Sequence, residues 1–103
     1  MSGAIFLDRD GVINRKAADG DYVREWRQFE FLPGVIEALQ RLVEWDDRPL
    51  VVVSNQRGIA RGLMARSAVD EIHRRMRETL AEHGVTLAGI HICPHDIGES
   101  HCR

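Results

Sequence analysis

Two continuous apolar runs, at residues 4–7 and 50–53, and a third strand-like segment at 87–92, largely apolar but interrupted by His91, punctuate the chain, and each ends in polar or metal-capable residues. Runs of four to eight apolar residues bounded by turn signals are the mark of strands buried on both faces. Between them the period changes. Val35, Leu39, Leu42 and Val43 fall on one helical stripe that opens after Leu32-Pro33-Gly34 and closes near Trp45, where Asp46-Asp47-Arg48-Pro49 breaks it. Val69, Ile72, Met76 and Leu80 form a second stripe, with Ser67 as the predicted N-cap and Gly84 as the predicted stop. Residues 57–62 read as a loop because their glycines weaken a helix. Residues 12–31 have no sustained period. Asp19-Gly20-Asp21 signals a turn there, and the segment reads as an ordered loop with room for a small hairpin.

The order strand–loop–helix–strand–helix–strand predicts right-handed crossovers and a parallel sheet, an α/β fold of Rossmann-like, three-layer type. Ligands in such sheets bind beyond the carboxyl ends of the strands. With 103 residues, no repeat and no linker-like composition shift, residues 1–103 read as a single domain or part of one.

Composition removes several classes of function. The net charge of −2 leaves no dominant basic face for a nucleic acid. No apolar run approaches the roughly 18 residues of a membrane span. The opening Met-Ser-Gly-Ala has neither the basic head nor the apolar stretch of a secretory signal, which makes a cytoplasmic address the default. Cys93 and Cys102 then read as metal ligands or plain thiols rather than a disulfide. Lys16 is the only lysine among 14 basic residues.

The strand ends carry the chemistry. Asp8 and Asp10 are two apart where the first strand stops, so in extended chain both carboxylates leave one side and Arg9 the other. Gly11 lets the chain turn away. Two carboxylates so close share a proton or hold a hard cation such as Mg²⁺, and a carboxylate can also attack phosphorus while its neighbour moves protons. Taken alone, Asp-x-Asp is more often a solvated turn, and Ser54-Asn55 a simple turn after a strand.

The longer strings change that balance. Phe6-Leu7-Asp8-Arg9-Asp10-Gly11-Val12-Ile13-Asn14 resembles the first motif of the haloacid dehalogenase (HAD) superfamily, and Val51 through Gly62, with Ser54-Asn55-Gln56-Arg57-Gly58-Ile59-Ala60-Arg61-Gly62, resembles its second. Together with Cys93-Pro94-His95, they are similar to the subgroup of heptose bisphosphate phosphatases and histidinol-phosphate phosphatases. The resemblance implies a Mg²⁺-dependent phosphomonoesterase acting on a small phosphorylated sugar through an aspartyl-phosphate. Asp8 would be the nucleophile and Asp10 the acid and base, both beside Mg²⁺. Ser54, Asn55 and Gln56 would hold the phosphoryl group. Asn14, Asp19, Gly20, Asp21, Tyr22 and Arg57 fall where such enzymes meet substrate.

The resemblance further implies no large cap domain, a monomer, and a structural Zn²⁺ loop at 93–103. Cys93, His95 and Cys102 would be its ligands, and His101 or a water could complete the tetrahedron. The family pattern also has a lysine that neutralises phosphoryl charge and a later acidic residue at the Mg²⁺ site, and neither is found here. The text therefore resembles the N-terminal part of a phosphatase domain, incomplete at its C-terminal end. Weak activity or none is expected of these residues alone. A phosphoaccepting receiver, or a fragment that only binds phosphate or metal, are the competing classes.

Overall fold

The computed structural model describes residues 3–18 and 21–93. Strands β1 (Ile5–Asp8), β2 (Leu50–Asn55) and β3 (Leu87–Cys93) form one parallel sheet in the order β1-β2-β3. Helix α1 (Val35–Trp45) links β1 to β2, while the short α2 (Arg57–Ala60) and long α3 (Arg66–Glu82) link β2 to β3. A 3₁₀ turn at Trp26–Gln28 lies in the first connection. Because parallel strands cannot be joined by a hairpin, each pairing requires a helical crossover.

The core lies between the helices and one sheet face. Leu50, Val52 and Leu87 pack with Leu39 of α1 and with Ile72, Met76 and Leu80 of α3 in a single cluster, with Ile5 and Leu7 against it. Ile13, Val23 and Phe29 of the first connection join the same cluster, which ties that loop to the sheet. Phe6, on the alternate face, is 66% exposed.

Three local expectations change. The glycine-bearing stretch after β2 contains α2 rather than only loop, its turn closed by Ile59 N–H donating to the Gln56 carbonyl at 3.1 Å. The N-cap of α3 is Ala65, not Ser67: extended backbone at Ala65 already points its carbonyl at the N–H of Ala68 and Val69. No hairpin forms among the described residues of 12–31. Asn14 instead bridges singly to Asp10 and to Phe31, and the Trp26, Phe29 and Phe31 rings pack on one another.

Strand register sets the functional end of the sheet. Asp8 pairs with Val53, and Asn55 pairs with Cys93. β2 and β3 therefore finish level with each other, two residues beyond the pair that closes β1, with Ser54 one step past Asp8 along the neighbouring strand. The Gln56 N–H donates to the Cys93 carbonyl at 2.9 Å, extending that junction beyond the last paired residues.

Candidate active site

The first strand ends by turning on itself. The Arg9 carbonyl accepts from the N–H groups of Val12, Ile13 and Asn14, and Gly11 takes φ +87°. That left-handed conformation is strained for residues with a Cβ. The Gly11 N–H then donates to the Asn14 carbonyl at 2.8 Å. This closed loop brings the Asn14 side chain back to the Asp10 carboxylate, where Nδ2 donates to Oδ1 at 3.0 Å.

Asp10 is held from every side by nitrogen donors. Oδ1 accepts from Arg9 Nη2 at 2.7 Å, Arg9 Nε at 3.3 Å and Asn14 Nδ2. Oδ2 accepts one contact, from Gln56 Nε2 at 3.2 Å. The two oxygens thus differ in coordination, three donors against one. Asp8 is exposed at the strand end, and its carboxylate makes no hydrogen bond with another described residue. One acid is therefore fixed and the other is presented.

Both aspartates line a cleft of about 450 Å³ together with Ser54, Asn55, Gln56, Asp21, Tyr22, Lys16 and Arg61. Ser54 is buried at the end of β2, and its Oγ accepts from the Gln56 amide. Across the cleft, Arg61 Nη1 donates to the Tyr22 hydroxyl at 3.2 Å, joining the loop before α3 to the first connection. The Tyr22 N–H and then the Arg24 guanidinium hold the Asp21 carboxyl below its ordinary value. Carboxylates, a hydroxyl, amides and two cationic side chains around one opening suit a polar, anionic ligand.

Arg9 lies at the cleft floor, with its side chain only 1% exposed. It follows the alternation of β1: Leu7 and Arg9 turn toward the core side, away from Asp8. Its Nη1 lies 3.0 Å from His73 Nε2, and its guanidinium carbon is 5.8 Å from the centre of the Phe29 ring. A guanidinium can only donate, so His73 Nε2 must accept and the neutral ring carries its proton on Nδ1. Burial, then the Arg9 charge, push the His73 imidazole down to about 4.

The sequence-derived site residues separate into three groups. Asp8, Asp10, Asp21, Tyr22, Ser54, Asn55 and Gln56 line the one cleft. Asn14 is fully buried behind Asp10, so its side chain touches the acid rather than the opening. Asp19, Gly20, His95, His101 and Cys102 lie outside the described residues, as does the side chain of Arg57, while Cys93 ends β3 half-buried. Two contributors are new. Arg9 left no periodic signal because a charged residue in a turn reads as solvated. His73 did leave one, since it shares the buried stripe of Val69, Ile72, Met76 and Leu80.

Metal donors near the cleft are few. Among the described residues no three His, Cys, Asp or Glu side chains gather in one place. Mg²⁺ fits such a site better than cations that need a protein cage, because it keeps waters and takes phosphate oxygens alongside one or two carboxylates. The unpartnered Asp8 carboxylate supplies the hard oxygen this requires.

Strand ends that gather two acids, a hydroxyl and an amide in one cleft define the class: the chain has the fold of the HAD-like phosphatases. It superposes on the D,D-heptose 1.7-bisphosphate phosphatase from B. bronchiseptica complexed with magnesium and phosphate, with a TM-score of 0.86 and 36% identity, covering 99% of this chain and 56% of that one. More particularly, it is a homologue of heptose bisphosphate phosphatases. It is 53% identical over 91 residues to the D-glycero-alpha-D-manno-heptose-1,7-bisphosphate 7-phosphatase of Mycobacterium tuberculosis, which covers 88% of this chain and 47% of that protein. It is 47% identical over 95 residues to the D-glycero-beta-D-manno-heptose-1,7-bisphosphate 7-phosphatase of Pasteurella multocida, covering 92% and 50% respectively. The chain thus spans about half the length of these relatives. No family model matches it.

Proposed function

We propose that the chain supplies the nucleophile and proton-transfer site of a phosphomonoesterase acting on a phosphorylated heptose, with heptose 1,7-bisphosphate as substrate. The observation that carries this reading is the contrast between Asp8, exposed and without a hydrogen-bond partner among the described residues, and Asp10, clamped beside it in the same cleft. A nucleophile needs free lone pairs, whereas a proton carrier needs fixed geometry.

Asp8 attacks phosphorus in line, forming the acyl-phosphate as the bond to the sugar oxygen breaks. Asp10 gives its proton to the departing alkoxide. Asp10 then takes a proton from water, whose oxygen attacks the acyl-phosphate and releases inorganic phosphate, restoring both acids. Ser54 and neighbouring N–H groups hold the phosphoryl oxygens as charge moves onto them. Lys16 and Arg61 line the same cleft and suit the second phosphate of a bisphosphate. Mg²⁺ would be held by the Asp8 carboxylate and the Asp10 main-chain carbonyl, and when bound it lowers the repulsion between carboxylate and phosphate. The magnesium in the related heptose phosphatase structure supports that assignment.

A cytoplasmic monomer with a structural Zn²⁺ on Cys93, His95 and Cys102, completed by His101 or water, belongs to the same reading. Its support is the soft-ligand spacing in the sequence. No helix among the described residues is long and apolar enough to cross a membrane. Metal analysis of the purified chain and of its Cys93→Ser variant tests the zinc.

The deciding experiment measures phosphate release from both anomers of heptose 1,7-bisphosphate with Mg²⁺, alongside borohydride trapping of the aspartyl-phosphate. Histidinol phosphate serves as the competing substrate. Turnover and trapping should both vanish in Asp8→Asn, and turnover unchanged by that substitution would refute the nucleophile.

A further inference from the structure

We propose that His73 is a positioning residue for Asp10, acting through Arg9 to fix which carboxylate oxygen carries the transferred proton. This role presupposes Asp10 as the proton-transfer group. Arg9 spans the two residues: its Nε and Nη2 hold Asp10 Oδ1, and its remaining nitrogen, Nη1, meets His73 Nε2, 64 positions along the chain on α3. At 1% exposure, Arg9 has no water to satisfy Nη1, so the histidine lone pair is its partner. Phe29 closes the flat face of the guanidinium. The fork is therefore pinned on an edge, at a corner and on a face.

The consequence falls on Asp10. With two Arg9 donors and one from Asn14, Oδ1 is saturated, and an added proton there would face three N–H groups. Oδ2, with its single 3.2 Å contact from Gln56, is the oxygen left to carry the proton to the leaving group and to take one from water. If the acceptor at position 73 is removed, Nη1 is buried unsatisfied and the guanidinium rotates to find another partner. Oδ1 then loses its bidentate hold and Asp10 its orientation. His73 accomplishes this while neutral: only its unprotonated Nε2 can accept from Arg9.

Two substitutions separate positioning from general support. His73→Leu removes the acceptor but keeps apolar volume, whereas His73→Gln returns an acceptor oxygen at comparable reach. Single-turnover rates are compared for an alkyl phosphate, the heptose bisphosphate, and for 4-nitrophenyl phosphate, whose leaving group departs without a proton. His73→Leu should slow the alkyl substrate about tenfold more than the aryl one, a part of the roughly 10²–10⁴-fold that general acid catalysis supplies, with KM unchanged and with recovery in His73→Gln. Equal loss on both substrates overturns the role.

Asp10→Asn is the reference. If it too fails to distinguish the leaving groups, the assignment of Asp10 has failed and not the link through Arg9. A readout independent of turnover is the ¹⁵N spectrum of the chain. The Arg9 Nε–H signal should be slowly exchanging in the parent and in His73→Gln and lost in His73→Leu. Its persistence in His73→Leu overturns the proposal whether or not the chain turns over.

Discussion

Gln56 Nε2 donates to Asp10 Oδ2 at 3.2 Å across 46 positions of sequence, and the same amide donates to Ser54 Oγ. One buried amide therefore couples the Asp10 carboxylate, just past the end of β1, to the Ser54 hydroxyl near the end of β2. Replacing it with Leu keeps much of the volume but removes both donors. Gln56→Leu should lower the catalytic rate at least tenfold, in the range of a lost donor at a charge-developing site, and cost about 1–3 kcal/mol of stability through unsatisfied partners. Steady-state kinetics and urea unfolding check the two effects separately.

Asn14 offers a sharper separation between holding an acid and binding a sugar. Its amide is fully buried and bonded to Asp10, and it does not line the cleft. In Asn14→Ala, kcat should drop while KM for the phosphorylated substrate stays within about twofold, as for an interaction felt mainly in the transition state. A rise in KM with kcat preserved would instead mean that the side chain reaches substrate.

Gly11 controls the same geometry through the backbone. A Cβ there would meet no atom within 4 Å, so any cost comes from the φ of +87° rather than from crowding. Gly11→Ala should destabilise the chain by about 1–2 kcal/mol. It should also lower the catalytic rate, since the turn brings Asn14 back to Asp10. Denaturant midpoints and turnover measured on one preparation test both.

His73 makes stability depend on pH. Folding depresses its imidazole from 6.5 to about 4, chiefly by burial and then by Arg9, with Asp70 and Asp10 opposing and Arg66 adding to the effect. Between those values the unfolded chain binds the extra proton, so stability rises with pH. The contribution is complete above 6.5 and is lost as the pH falls toward 4. Lowering the pH from about 7.5 to about 5 should cost on the order of 2 kcal/mol. Asp46 and Glu71, held at about 2 by their arginine partners, keep their contribution throughout this interval and lose it only as the pH falls from about 4 toward 2. Urea unfolding of the parent and of His73→Gln measures this, and the variant should lose most of the slope over that interval.

The three strands and two long helices were legible because short apolar runs bounded by turn signals mark strands and a period near 3.6 marks α1 and α3, although the strands are covered mainly on one face, Phe6 being 66% exposed on the other. Asp8 and Asp10 stood out because polar residues abruptly end an apolar run. The side chains that hold Asp10 did not. Asn14 and Gln56 read as substrate contacts because an amide beside an acid has the same sequence signature whether it faces inward or outward. Arg9 read only as the residue between two acids, yet alternation had already turned it to the core side. His73 adjoins the α3 stripe and reads from sequence as a surface or core residue alike, and its partner lies 64 positions away, beyond what local spacing can reveal. The α2 turn was hidden by glycine, whose cost in a single turn is offset by the loop it closes.

The pairing of Asp8 with Val53 has a further consequence for assembly of the chain. A slip of one position along β2 would carry the carboxylate to the core face and push Leu7 outward, exchanging a half-buried methyl-rich side chain for a charge without a counterion. Mispaired sheets are thus penalised by Asp8 itself, the residue proposed above as the nucleophile. The placement of Asp8 and cooperative folding should therefore appear together as denaturant is withdrawn, with no populated species that has the sheet but lacks Asp8 at its strand end.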